Sequence, residues 1–68
     1  RYKVLSVGKV MRPASKGLSA EGGVRSGAKI ESAINQVADT DSPVAVVDEA
    51  GGIVGEIDRE IIMRAMTS

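Results

Sequence analysis

Apolar residues recur at helical spacing in two parts of the chain. Between positions 30 and 37 they fall three and four residues apart with polar residues between them: Ile30, Ala33, Ile34 and Val37. This spacing predicts an amphipathic helix over 28–38. A second helix is expected after Asp58, which stands where an N-cap belongs. Its apolar face is predicted to carry Ile61, Ile62, Ala65 and Met66.

Two short apolar runs between these helices have the composition of β-strands. Residues 44–47 read Val-Ala-Val-Val without a polar break, which is typical of a strand covered on both faces. Pro43 favours an extended chain before this run and ends the preceding helix. Residues 53–57 follow a turn at 48–52 that contains Gly51 and Gly52, and they are expected to return as the second strand of a hairpin.

The amino-terminal part predicts a short lead-in helix and then a loop. Ser6 is a candidate N-cap, Val7, Val10 and Met11 share one helical face, and Pro13 stops the helix. Residues 14–27 are rich in Ser and Gly, which predicts either a loop or a short first strand at 23–25. The whole order predicts an α/β (α+β) fold of the form β-α-β-β-α behind the lead-in helix.

Composition narrows the classes of function. A chain of 68 residues forms one small domain, and such domains usually need reinforcement. Cys and His are absent, which removes disulfides, thiol nucleophiles, imidazole catalysis and Cys/His zinc sites, so self-association is the expected reinforcement. Nine basic and nine acidic residues leave no net charge, so direct binding to nucleic acid or a membrane surface is not expected.

The apolar pattern of the sequence also predicts a subcellular location. No apolar run is long enough to span a membrane, and no leader pattern occurs at the start, which predicts a cytoplasmic location. Because the sequence opens at Arg1 without an initiator Met and stops just past a helical pattern, we expect residues 1–68 to be one repeat cut from a longer polypeptide.

The phrase from Ser42 to Met66, SPVAVVDEAGGIVGEIDREIIMRAM, resembles the second half of a CBS repeat. An apolar strand and an acidic turn are followed by Gly, two aliphatic residues, Gly, an aliphatic residue at Ile57, a polar cap and a helix. Residues 7–13, VGKVMRP, are similar to the lead-in helix of this family. Within the family, the wording is most similar to the carboxy-terminal CBS region of ATP-binding subunits of glycine betaine/proline/choline ABC transporters.

The resemblance implies a regulatory role and a partner. CBS repeats work in pairs and hold adenine nucleotides in the clefts between them, so it implies a homodimer or a second repeat in the parent chain. It also implies an attached transporter ATPase domain, and contact with the inner face of a membrane only through that complex. The phosphate loop of such an ATPase is missing from these 68 residues, so the chain is not expected to be an enzyme itself.

The resemblance places an adenine-nucleotide cleft at five candidate residues: Val44, Gly55, Ile57, Asp58 and Arg59. Two of them have simpler structural interpretations. Gly55 would equally allow another segment to pack closely, and Asp58 would equally serve as a helix cap. Where the family carries a ribose-binding Asp this sequence has Ile61, which cannot hold ribose hydroxyls and weakens the nucleotide interpretation.

Three further groups of residues each allow a structural and a functional interpretation. Asp48 and Glu49 are expected to be solvated turn residues and not metal ligands, because adjacent carboxylates on an extended chain point apart. Met63 and Met66 belong either to the core or to a dimer interface. A basic patch that binds an anion, or an ordinary solvated surface, would be formed by Lys9, Arg12, Lys16, Arg59 and Arg64.

The sequence thus leaves two principal hypotheses. The first is a regulatory CBS module that self-associates and adjusts an attached osmoprotectant transporter ATPase by sensing a nucleotide or ionic strength. The second is a ligand-free structural dimerisation module. A small enzyme is a third class with little support, since Glu56, Asp58 and Glu60 have no accompanying base partner or oxyanion device.

Overall fold

The computed structural model describes residues 5–67, and the ends of the predicted repeat, 1–4 and 68, lie outside the described residues. Three helices and a three-stranded mixed sheet form a compact α+β domain. The elements in chain order are α1 (Val7–Val10), β1 (Val24–Arg25), α2 (Ile30–Ala38), β2 (Val44–Val47), β3 (Ile53–Ile57) and α3 (Arg59–Thr67). This order agrees with the sequence prediction, including the brief first strand.

The sheet has the spatial order β1-β2-β3, with β1 parallel and β3 antiparallel to β2. A parallel pair needs a crossover connection, and α2 supplies it between β1 and β2. The turn between β2 and β3 is fixed by Asp48, whose carboxylate accepts the backbone N–H groups of Ala50 and Gly52. Gly51 adopts φ +89°, a conformation that glycine takes without a steric penalty.

The register of the hairpin slips by one residue near its turn. Val46 lies opposite Gly55, whereas Val47 lies opposite Ile53 and not Val54. A slip of this kind interrupts the alternation of inward and outward side chains. Both Ile53 and Val54 are consequently exposed, so the expectation of a buried strand holds only for the second half of β3.

One hydrophobic core joins the sheet to the helices. It consists of Val7, Val24, Ile30, Ala33, Val37, Val46, Ile57, Ile62 and Ala65. The predicted faces of α2 and α3 supply five of these residues, which confirms the helical spacing seen in the sequence. Met66, which was assigned to the same apolar face and to either the core or a dimer interface, is exposed and does not belong to this core.

Ile57→Val tests the position of this core. The side chain of Ile57 is fully buried, so losing one methylene should lower the free energy of unfolding by about 0.5–1.5 kcal/mol. The same change at the exposed Ile53 of the same strand is the matched control and should alter stability by less than ~0.5 kcal/mol. Urea unfolding of both variants provides the measurement, and equal effects would contradict the assigned register.

Candidate functional site

The five predicted site residues lie in three places. Val44 lies opposite Ile57 in the hairpin, and both belong to or pack against the hydrophobic core. Asp58 and Arg59 stand at the start of α3 and line a shallow surface depression of about 530 Å³. Gly55 lines neither this depression nor the core cluster. The structure therefore does not gather all five residues around one cavity.

Gly55 is where another segment packs closely against β3. A Cβ atom added to Gly55 would lie 2.6 Å from Sδ of Met11 and 2.8 Å from the carbonyl oxygen of Arg12. These separations are too short for any side chain, so the chain just after α1 occupies the space that a larger residue would take. The packing interpretation of Gly55 is confirmed, and its contact with a ligand stays a prediction.

The most distinctive group of side chains is an ion cluster formed by Arg12, Glu56 and Asp58, here called the Arg12 cluster. Nε of Arg12 donates to Oε2 of Glu56 at 2.6 Å, and a terminal nitrogen of Arg12 lies 2.9 Å from Oδ2 of Asp58. The other oxygen of Glu56 accepts the backbone N–H of Ser15 at 2.9 Å. The Glu56 side chain is only 2% exposed, so this carboxylate is a buried charge with partners on both oxygens.

The contacts between Arg12, Glu56 and Ser15 shift the pKa values of Glu56 and Arg12. The N–H of Ser15 and the guanidinium of Arg12 together hold the pKa of Glu56 below its usual value, because both stabilise the carboxylate more than burial destabilises it. The bond to Glu56 in turn raises the pKa of Arg12. Glu56 is therefore charged at neutral pH in spite of its burial.

Asp58 uses both of its carboxylate oxygens within the fold. Oδ1 accepts the backbone N–H of Ile61 at 2.9 Å, which confirms the predicted cap of α3, and Oδ2 pairs with Arg12. A ribose hydroxyl would have to compete with these partners for the same oxygens. Because Ile61 also offers no polar group, the nucleotide interpretation gains no support from this end of α3.

The predicted basic patch is largely neutralised. Besides Arg12, Arg59 pairs with Asp41 at 2.8 Å, and Arg64 pairs with Glu60 at 3.1 Å one helical turn away. Lys9 and Lys16 are exposed, and neither forms an ion pair with another residue in the range 5–67. The arginines thus serve local carboxylates, which favours the interpretation of an ordinary solvated surface.

The surface depression at α3 combines charge with an apolar side chain. Met63, which is 58% exposed, lies among charged and polar neighbours: Asp41, Asp58, Arg59, Glu60, Arg64 and Thr67. Met66, one turn from Ile62, is also exposed. Of the two alternatives for these methionines, the core is therefore excluded, and a surface that a partner could cover remains.

The described residues contain neither a metal-ligating cluster nor a membrane-spanning helix. Residues 5–67 contain no group of three acidic side chains close enough to hold a metal ion, and Asp48 is engaged in its own turn. None of the helices in this range has the length and apolar character needed to cross a membrane.

Sequence analysis singled out Arg12, Glu56 and Asp58 for separate reasons and did not predict that they contact one another. The signal was present, since Glu56 lies between Gly55 and Ile57 inside an aliphatic strand. A carboxylate in such a position needs a cationic partner, because charged side chains are almost never fully buried unless they are paired. Which of the nine basic residues pairs with Glu56 depends on the path of the chain after α1 along the edge of the sheet.

Comparison of the chain with models of known protein families, with curated proteins and with solved structures finds no match.

Gly55→Ala tests the close approach at β3. The new Cβ would collide with the backbone oxygen of Arg12, which cannot move as easily as the Met11 side chain, so the free energy of unfolding should fall by roughly 1–3 kcal/mol. Gly27→Ala is the matched control, because a Cβ there meets no atom within 4 Å. Chemical denaturation measures both, and an unchanged Gly55→Ala variant would contradict the packing described here.

The lowered pKa of Glu56 predicts a specific dependence of stability on pH. A carboxyl group whose pKa is lower in the folded than in the unfolded chain stabilises the fold fully above its ordinary value. That stabilisation is lost as the pH falls through the folded-state pKa. Carbon NMR of the Glu56 carboxyl group should place its titration below the usual range for a glutamate side chain.

Glu56→Gln provides the matching variant for this titration. It should be less stable than the original chain at pH 7 and should lose less stability as the pH falls below the usual range for glutamate, because it lacks the titrating group. A Glu56 signal that titrates at or above the usual range for glutamate would contradict the cluster.

Proposed function

We propose that the chain is a regulatory CBS module that self-associates and modulates an attached ABC transporter ATPase for glycine betaine or proline uptake. The element order and the VAVV and IVGEI hairpin support the family assignment. The observation that carries the proposal is the exposed apolar surface of α3 formed by Met63 and Met66, which lie three residues apart on one helical face. Such side chains favour burial by a partner.

The charges around Met63 suit a second copy of the same chain. Arg59 and Arg64 alternate with Asp41 and Glu60 on this surface, and each now forms an exposed local pair. A two-fold interface places the same patch on both partners, so a patch with both signs can pair with itself. Exposed ion pairs contribute little as they stand, which leaves these groups available to exchange partners.

Of the two signals, ionic strength has more support in the structure than a nucleotide. Salt weakens attraction between exposed charges, with a screening length of about 10 Å at 0.1 M and about 3 Å at 1 M. The two ion pairs beside Met63 are exposed to solvent, so salt screens their charges. The proposed nucleotide cleft, in contrast, has Ile61 in place of the ribose-binding Asp and a fully engaged Asp58.

The second candidate is a ligand-free structural dimerisation module. The same two observations at Ile61 and Asp58 favour it, because self-association through α3 needs no nucleotide. In both cases we propose that the chain is not an enzyme and that it acts at the cytoplasmic face of a membrane through its transporter. Glu56 and Asp58 are bound to Arg12, so neither is placed to act as a general base.

Met63→Glu tests the self-association surface. A charge placed in an apolar interface would have to be desolvated, so the dimer dissociation constant should rise about tenfold or more. Gln36→Glu introduces the same charge on the exposed polar face of α2 and should leave the dissociation constant within about threefold. Sedimentation velocity over a dilution series distinguishes the variants. An original chain that stays monomeric and folded at all concentrations would contradict the proposal.

A thermal-shift series separates the regulatory module from the ligand-free one. AMP, ATP and a cyclic dinucleotide are each tested at several salt concentrations, since a ligand that binds the folded state raises its melting temperature. The proposal expects a dimer that weakens with salt and shows little or no nucleotide shift. A dimer insensitive to both salt and nucleotide would support the structural module instead.

A further inference from the structure

Residues 12–15 lie along the outer edge of β3, and their backbone pairs with this strand at one point. The backbone N–H of Arg12 donates to the carbonyl of Glu56 at 3.0 Å, and the N–H of Glu56 donates to the carbonyl of Arg12 at 2.9 Å. Arg12 and Glu56 form an isolated antiparallel bridge, and no other backbone hydrogen bond joins this segment to β3 among the described residues. This segment, here called the strap, covers the sheet edge at Gly55 and Glu56.

Side chains fasten the strap where the backbone pairing ends. The guanidinium of Arg12 reaches both Glu56 and Asp58, and the Glu56 carboxylate also holds the N–H of Ser15. A planar guanidinium can bind two carboxylates at once, which a single ammonium group does less well. The side-chain attachment therefore depends on the charge of Arg12 and of its two carboxylate partners.

Asp58 connects the strap to α3. One of its oxygens binds Arg12, and the other accepts the N–H of Ile61 in the first turn of the helix. Orientation of this carboxylate by Arg12 therefore helps to align the cap. If Arg12 leaves, Asp58 is freed to rotate toward solvent, and the first turn of α3 loses part of its restraint.

We propose that the Arg12 cluster is a charge-dependent latch that couples the strap to the first turn of α3. The strap opens from β3 as a unit while the core behind it stays folded, and each opening loosens the cap at Asp58. Local opening is favoured because residues 12–17 are exposed and few bonds hold them, which is typical of low-stability segments. This coupling goes beyond self-association and does not require a ligand.

The charged groups that face Glu56 are Arg12 from the strap and, through Arg12, Asp58 from the start of α3. The latch is closed while Arg12 is paired with both carboxylates. Screening by salt acts on the exposed Arg12 and the partly exposed Asp58 more than on the buried Glu56. Rising salt should therefore weaken the link to α3 before it weakens the pairing with β3.

Amide hydrogen exchange followed by NMR on the full 68-residue chain tests the latch. Arg12→Met keeps the apolar stem and removes the guanidinium, and Arg25→Met makes the same change at an exposed arginine of β1, at the opposite edge of the sheet. In Arg12→Met the amides of Ser15 and Ile61 should exchange about tenfold faster or more, while that of Val46 stays within about twofold. Arg25→Met should leave all three within about twofold.

Two results would overturn the latch. Faster exchange at Ser15 without a change at Ile61 would show that the strap is not coupled to α3. Equal acceleration at Ser15, Ile61 and Val46 would show that Arg12 only supports global stability. If Arg12→Met does not fold, the same three amides are measured in Arg12→Lys, which retains the charge but lacks the planar guanidinium. The same results would then support or overturn the latch.

Discussion

The buried carboxylate of Glu56 is the constraint on which the arrangement around the sheet edge depends. A charge removed from water must be paired and hydrogen-bonded, or it destabilises the fold. Glu56 meets this requirement only if Arg12 and the N–H of Ser15 contact it, so the chain after α1 has to pass along the edge of β3 at this point. Gly55 allows this close approach, because the strap occupies the space that a side chain at Gly55 would take.

This constraint also determines what the predicted site can do. Asp58 would be a free carboxylate at the mouth of a cleft if Arg12 were elsewhere, and in the structure it is a bound partner and a helix cap. The chemistry left at the surface lies on the outer side of α3, where Met63 is surrounded by pairs of opposite charges. For this reason we place the proposed regulatory contact at α3 and not at the hairpin.

Much of the fold could be predicted because it follows from local patterns. The spacing from Ile30 to Val37 gives α2, the β-branched run gives β2, and Asp58 caps α3 as expected. Exposure of Ile53 and Val54 could not be predicted, since it results from a register slip that depends on how the turn at Asp48 closes. The Arg12 cluster was missed because it joins residues 44 positions apart, and no local pattern encodes that distance.

A double-mutant cycle on Arg12→Met and Glu56→Gln tests the central claim most directly. Urea unfolding of the original chain, both single variants and the double variant gives the energy by which the two residues depend on each other. The account predicts a coupling clearly larger than that of the exposed pair Arg64 and Glu60 measured by the same cycle. A coupling no larger than that of the exposed pair would contradict it.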